Sequence, residues 1–365
     1  MIPFLSFDYQ QNLLGEIILQ NIKEVLDSQW YVLGESVKEF ENKYKKLSSV
    51  KYATGVGSGL DALIISLKAL NITKGDEVIV ASNAYIASWL SITNVGATIV
   101  PVEPNEKTFN IDVNKIEEKI TANTKVIMPV HLYGQPCEMD KIMHIAKKYN
   151  LFVVEDNAQA HLAKFKDKIT GSFGDINATS FYPTKNIGAI GEAGCITTDN
   201  KKYAEFSKKY RNYGSSEKYI CDLIGTNSRL DELQASILNI KLDYIEDWTR
   251  QRIEIANLYT QRLTNLVETP FVNSKCSHVY HLYVIKTNKR DELKEFLHLK
   301  GIGTAIHYPI PPHLQKAYSH LNFKKGDFPI AEKLANQSLS LPIYPGLSND
   351  QVIYICDSIK EFFKS

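Results

Sequence analysis

The segment Ser180-Phe181-Tyr182-Pro183-Thr184-Lys185-Asn186 reads as the end of a short strand that hands over to a lysine, with Gly188, Gly191 and Gly194 close behind. Ligands in α/β sheets collect at strand ends. An amine held there, on backbone that nearby glycines let turn tightly, suits formation of a Schiff base with an aldehyde. Taken alone, Lys185 reads more readily as a solvated loop lysine. Its neighbours change that reading. The apolar run Val153-Val154-Glu155-Asp156-Asn157-Ala158-Gln159-Ala160-His161 ends in a carboxylate 29 positions before the lysine (185 − 156). A carboxylate at the end of a buried strand is costly unless a cation or hydrogen-bond donors meet it. A protonated pyridine nitrogen meets that need, and the ion pair keeps such a ring an electron sink. A helix N-cap explains Asp156 about as well. A metal-ligand role is weaker, because only His161 stands nearby at ligand spacing.

A third element is Gly55-Val56-Gly57-Ser58-Gly59-Leu60-Asp61-Ala62-Leu63, a glycine-rich turn entering an amphipathic helix. Free amides at a helix start, bare of side chains, bind phosphate. The spacing G-x-G-x-G matches neither the dinucleotide fingerprint nor the P-loop, and by itself it is equally a plain tight turn. In this chain order, a phosphate cradle, a carboxylate for a ring nitrogen and an amine for an aldehyde make a much rarer combination than any one of them.

Such groups need a sheet to position them. From residue 52 onward, short β-branched runs (Val78 to Val80, Thr98 to Val102, Val126 to Val130, Leu151 to Val154) alternate with helix-like stretches. This is the pattern of an α/β sheet covered on both faces. Met139 to Tyr149 carries apolar residues at helical spacing, and further strands are expected at Ala178–Phe181 and Cys195–Thr198. Before the sheet, the segments around Leu14–Ile22 and Val37–Glu41 read as surface helices. One long helix is expected from Ser228 to about Leu263, then a strand at His281–Ile285 and a last helix from Asp350 to Phe362, opened by Ser348 or Asn349. The domain change is placed inside the long helix near Trp248, giving a large domain over 1–247 and a small one over 248–365.

Composition narrows the function. At 365 residues the chain is long enough for two domains. A net charge of +1 gives no global field toward nucleic acid or an anionic membrane. Cys137, Cys195, Cys221, Cys276 and Cys356 are scattered singly, which argues against a disulfide framework and a structural zinc site. His278 and His281, three apart on an expected strand, point to opposite faces, so no metal is expected there. Neither a signal-like start nor a run of transmembrane length is present, and a soluble cytoplasmic protein is expected.

Together, Gly55–Leu63, Glu155–His161, Ser180–Asn186, Gly191–Gly194 and Gly225-Thr226-Asn227-Ser228-Arg229-Leu230-Asp231-Glu232-Leu233-Gln234 resemble the sugar-nucleotide aminotransferases of the DegT/DnrJ/EryC1/StrS family, over nearly the whole chain. The resemblance implies an α/β protein of the pyridoxal-phosphate (PLP) dependent transferase fold type I, aspartate aminotransferase-like, with a large mixed-sheet domain and a smaller C-terminal α+β domain. It implies pyridoxal 5'-phosphate as cofactor, pyridoxamine 5'-phosphate as its other form, and a homodimer whose active sites are shared. Carried onto this sequence, Lys185 is the Schiff-base lysine and Asp156 the partner of the pyridine nitrogen. Gly59, Leu60 and Ser180 hold the phosphate, Asn227 reaches it from the neighbouring subunit, and Tyr85 and Gln159 flank the ring. Related dehydratases carry histidine where this chain has Lys185, so lysine favours transamination.

The six arginines all fall between Arg211 and Arg290, leaving none after position 290 to clamp a carboxylate. This favours a neutral sugar acceptor over a keto acid. L-Glutamate must still dock as amino donor; Arg229 is a candidate for its carboxylate, with helix salt-bridging as the alternative. Ser82–Leu90, Pro101–Pro104 and Ile306–Gln315 are closer to the family's 3-aminotransferases than to its 4-aminotransferases. That similarity implies a dTDP-3-keto-6-deoxyhexose acceptor and a dTDP-3-amino-3,6-dideoxyhexose product. By the same similarity Tyr182, Tyr219, His307 and Tyr308 are candidates for sugar-nucleotide contact, against ordinary packing in a chain with 20 tyrosines. Two other readings stay open: a 4-aminotransferase on a UDP- or GDP-linked keto sugar, and a non-catalytic regulatory or sugar-sensing member.

Overall fold

Apolar runs such as Val78-Ile79-Val80 and Val126-Ile127-Met128 have no polar face and must be buried on both sides. In the computed structural model, which describes residues 1–364, they form the middle of a seven-stranded sheet. Its strands are β1 (Tyr52–Val56), β2 (Glu77–Ala81), β3 (Thr98–Val102), β4 (Thr124–Met128) and β5 (Phe152–Asp156). After a small hairpin, β6 (Lys164–Phe165) and β7 (Lys168–Ile169), come β8 (Ile176–Ser180) and β9 (Gly194–Thr198). The spatial order is β1-β9-β8-β5-β4-β2-β3. Only β9 runs against the rest, pairing antiparallel with both β1 and β8. The strands β1, β5 and β8 therefore point the same way, and Val56, Asp156 and Ser180 leave the sheet at one edge.

Helices α3 (Gly59–Ala69), α4 (Ile86–Asn94) and α5 (Met139–Tyr149) join the largest core, packing Leu63, Leu67, Trp89, Ile142 and Ile145 with the central strands. A second core lies among α1 (Asp8–Ser28), α2 (Glu35–Leu47), the loop after β8 and α7 (Glu232–Leu242), while α6 (Lys201–Tyr210) lies against the first. In the second core Phe181 meets Phe40 and Tyr44 edge-on, with ring centroids 5.3 and 5.1 Å away. Such pairs add about 0.5–1.5 kcal/mol each beyond area burial, so the residue next to Ser180 is firmly seated. A third core collects α8 (Ile245–Leu263), α9 (Arg290–Leu299), α11 (Asn349–Lys364) and the strand pair β12 (Tyr283–Lys286) and β13 (Ser338–Leu341). Helix α10 (Pro329–Gln337) precedes β13, and a hairpin of β10 (Ser215–Glu217) and β11 (Ile220–Cys221) stands apart from the main sheet.

The strands at Thr98–Val102 and the helix at Met139–Tyr149 lie where the sequence places them. The expected long helix does not. It begins only at Glu232, after Asp231 in extended backbone, and breaks at Asp243-Tyr244 into α7 and α8. Helical periodicity runs on through a two-residue turn, so the break left no mark in the apolar pattern. The chain passes between cores within α8: Trp248 packs with the second core and Ile255 with the third. Ile2 also packs in the third core and bridges to Ile302, so the N-terminus joins the C-terminal elements. His278 and His281 precede β12 rather than lying on it. Ser348 caps the last helix: its Oγ accepts from the Gln351 amide at 3.2 Å while Gln351 Oε1 accepts from the Ser348 amide at 3.0 Å.

Candidate active site

Three strand ends supply the site. At the end of β1, Ser58 caps α3, its Oγ accepting from the Asp61 amide at 3.1 Å. The next amides, of Gly59 and Leu60, have no acceptor among the described residues. A Cβ on Gly59 would lie 2.5 Å from the Ser180 Cβ, so the side chain at the end of β8 presses directly on this bare helix start. Behind the turn, the Gly57 amide donates to Ser228 Oγ at 3.0 Å, and Ser228 donates to Asp61 at 2.8 Å. The buried Arg211 guanidinium donates to Glu41 and to the Gly55 carbonyl, each at 2.5 Å, and anchors β1.

At the end of β5, Asp156 is 6 % exposed. Its Oδ2 accepts from the Ser88 hydroxyl at 2.7 Å and its Oδ1 from the Ala158 amide at 3.1 Å. The adjacent Glu155 is fully buried and points the other way. Its oxygens accept from the amides of Gly171, Phe173 and Gly174 at 2.6–2.9 Å and meet His131 Nε2 at 2.8 Å. His131 Nδ1 accepts from the Cys137 amide at 3.1 Å, so Nε2 carries the proton toward Glu155. This cluster satisfies the carboxylate and fixes the strand end that carries Asp156.

Beyond β8, Lys185 sits on a loop closed by its own amide on the Tyr182 carbonyl at 2.9 Å and by the Ala189 amide on Phe181 at 2.8 Å. Burial lowers the Lys185 ammonium to about 8, opposed by the charge of Asp156. Gln159 is 4 % exposed, with Oε1 accepting from the Tyr133 amide at 2.6 Å and Nε2 donating to the Tyr308 hydroxyl at 3.0 Å. The Tyr133 hydroxyl donates to the His307 carbonyl. Tyr85, at the start of α4, stays half exposed with its ring 5.0 Å from that of Tyr308. His307 Nδ1 lies 2.8 Å from Ser340 Oγ, and burial together with the Lys185 charge lowers its imidazole to about 4.

Gly59, Leu60, Ser180, Asp156, Lys185, Gln159, Tyr85, His307 and Tyr308 are thus linked by direct contacts or charge coupling, and Tyr182 lies exposed beside them. Tyr219, Asn227 and Arg229 are not drawn in. Tyr219 is 90 % exposed at the tip of the β10–β11 hairpin, and Asn227 is exposed in a bridge to Asn212. Arg229 donates to Asn212 Oδ1 at 3.1 Å and lies 5.3 Å from the centre of the Tyr213 ring. Sequence reading missed Ser88, Tyr133 and Glu155 as supports. A serine within a helix and a tyrosine in a loop carry no signal of their own, and each is recognised only by what it touches. No group of histidines, cysteines and carboxylates that could hold a metal exists among the described residues.

A family model for the DegT/DnrJ/EryC1/StrS aminotransferase family matches residues 12–360. The chain belongs to that family. It is 48 % identical over 363 residues to a dTDP-3-amino-3,6-dideoxy-alpha-D-galactopyranose transaminase of Aneurinibacillus thermoaerophilus, covering 99 % of each chain. It is also 41 % identical over 367 residues to a pleiotropic regulatory protein of Geobacillus stearothermophilus, covering 100 % of this chain and 99 % of the other. Among solved structures it superposes on Streptomyces venezuelae DesV with a TM-score of 0.98 at 40 % identity, covering 100 % and 99 % of the two chains. The mixed sheet with flanking helices is that of fold type I, and the chain is an aminotransferase dependent on pyridoxal 5'-phosphate. The residues present fit that cofactor. Two unengaged amides at a helix start, with the Ser180 hydroxyl against them, can receive an anion, and a buried carboxylate keeps lone pairs beyond those used by Ser88 and Ala158.

Proposed function

We propose that the chain transfers an amino group from L-glutamate to C3 of a dTDP-linked 3-keto-6-deoxyhexose, giving the dTDP-3-amino-3,6-dideoxyhexose and 2-oxoglutarate. The observation that carries the reading is the joining of Lys185, Asp156 and the Gly59–Ser180 cradle at one sheet edge, in a chain so similar to a dTDP-sugar 3-transaminase. Pyridoxal 5'-phosphate, when bound, supplies a carbonyl to receive the amino group and a ring to take up electrons. Lys185 would be the amine that holds its aldehyde carbon and the base that takes the proton from the α-carbon of glutamate. With its ammonium lowered to about 8, Lys185 holds a far larger share of free base at neutral pH than an ordinary lysine. Asp156 holds positive charge at the ring nitrogen, fixed in orientation by Ser88. The amides of Gly59 and Leu60 with the Ser180 hydroxyl bind the phosphate, while Tyr85 and Gln159 flank the ring.

Tyr182, His307 and Tyr308 line the approach for the sugar nucleotide. Tyr219, Asn227 and Arg229 form no hydrogen bond with these residues of their own chain, which suits service to a second copy in a homodimer, Asn227 at the phosphate and Arg229 at the glutamate carboxylate. The division of the chain into 1–247 and 248–365 accords with the change of core within α8.

A panel of dTDP-3-keto, UDP-4-keto and GDP-4-keto sugars offered with glutamate, with the aminated carbon identified by NMR, tests the specificity. Nitrogen at C4 would overturn it. The regulatory name of the Geobacillus relative favours a second reading, a sensor without turnover. Borohydride trapping of a pyridoxyl group on Lys185, together with colour that changes on adding glutamate, excludes it; a colourless protein that cannot be reconstituted supports it.

A further inference from the structure

A buried ammonium ordinarily meets a carboxylate. Lys241, on α7, does not. It is 5 % exposed, and no Asp or Glu among the described residues forms an ion pair with it. Its one bond runs from Nζ to the Gly188 carbonyl at 2.7 Å. Burial alone lowers it to about 8. Removing the ammonium would relieve its desolvation but leave the buried Gly188 carbonyl without its donor, so the charge is held here by that carbonyl.

Gly188 closes the base of the loop that carries Lys185. A Cβ there would fall 2.2 Å from the Pro183 carbonyl oxygen, so the outgoing chain lies directly against the ingoing chain. Lys185 stands between these two points. The same face of α7 meets the loop again two turns earlier, where Gln234 Oε1 accepts from the Ile190 amide at 3.0 Å. Between them Leu238 joins Ile187 and Ala189 in one apolar cluster. The loop is thus docked on a helix by one neutral and one charged hydrogen bond. The charged one, stronger in a place without water, is nearer to Lys185.

We propose that Lys241 is a positioning residue for Lys185: its ammonium holds the Gly188 carbonyl and thereby fixes the loop that presents the Lys185 amine to the cofactor aldehyde. This rests on Lys185 being the cofactor-bonding amine, as proposed above. Two variants test it, Lys241→Met and Lys241→Arg. In the apoprotein, Lys241→Met should shift the thermal midpoint little, relief of the buried charge offsetting the orphaned carbonyl, while the Ala189 and Ile190 amides exchange hydrogen about tenfold faster, the size set by losing one charge-assisted hydrogen bond. After addition of pyridoxal 5'-phosphate, the borohydride-trapped Lys185 adduct should accumulate about tenfold more slowly. Lys241→Arg, which keeps a charged donor, should stay within about threefold of the wild type on both readouts. Wild-type exchange and adduct rates in Lys241→Met would overturn the proposal. So would changes in both readouts that come only with a large fall in the thermal midpoint, which would make Lys241 a residue of the fold alone. A wild-type protein forming no adduct at Lys185 would defeat the functional reading instead, while exchange in the loop would still report on the clamp.

Discussion

The Ser88 hydroxyl stands 2.7 Å from Oδ2 of Asp156, and Ser88 itself has no exposed surface. With the Ala158 amide on the other oxygen, the carboxylate is held at both ends and cannot rotate freely. Ser88→Ala removes one of these donors without adding bulk. Turnover is expected to fall about tenfold while KM for the keto sugar changes little, since the loss is one of orientation at the reacting centre. Steady-state kinetics with both substrates checks this, and Ser88→Thr, which keeps the hydroxyl, should recover most of the rate.

Gly59 tests the cradle. A methyl group at this position would meet the Ser180 Cβ at 2.5 Å, with the Ser180 backbone at 3.0 Å, so either the helix start or the strand end must shift. Gly59→Ala should cost about 1–3 kcal/mol in overpacking and displace the Ser180 hydroxyl from the anion site. Cofactor affinity, followed by fluorescence titration of the apoprotein, should weaken at least about tenfold. Unchanged affinity would remove Gly59 and Ser180 from the phosphate site.

The amine of Lys185 should titrate near neutrality. Burial brings its ammonium down to about 8, so the free-base fraction in the apoprotein grows as pH rises toward that value and levels off above it. The rate of adduct formation with pyridoxal 5'-phosphate, measured by stopped-flow absorbance, should follow that curve. A rate still climbing steeply at pH 10 would mean an ordinary solvated lysine.

Acid should unfold the protein through its histidines. Burial lowers His161 and His278 to about 3, and His281 lies well below 6.5 for the same reason, aided by the charges of Lys185 and Arg252. Their folded values lie below the unfolded one, so between about pH 6.5 and 3 the unfolded chain binds more protons, and stability falls as pH drops through that window. Above pH 6.5 these residues contribute no pH dependence. Thermal midpoints across pH 4–8 check the sign; a midpoint flat down to pH 4 would contradict it.

Much of this architecture was legible because its signals are local. The Val- and Ile-rich runs announce buried parallel strands, and Lys185, Asp156 and Gly59 follow strand ends, where topology gathers them at one edge. The two-residue break at Asp243-Tyr244 was not legible, because helical spacing survives it. Nor were the partners of Gln159 and Asp156. Tyr133 and Ser88 are brought in by tertiary contacts over 26 and 68 positions, and nothing in their type foretells them; Tyr308 is named for the sugar nucleotide, but its bond to Gln159 over 149 positions is not foretold. Tyr219 shows the same limit from the other side: it is named by the family resemblance, yet its own chain leaves it in solvent.

Ser180 and Gly194 are register partners across β8 and β9, and the glycine packs against the carbonyl of Ser58. The excursion bearing Lys185 therefore departs from and returns to the rim of the proposed anion site. The span between the proposed amine and its proposed phosphate anchor is thus set by two adjacent strands of one sheet and not by the C-terminal elements. A change in those elements that altered substrate access would leave the grip on the cofactor as it was.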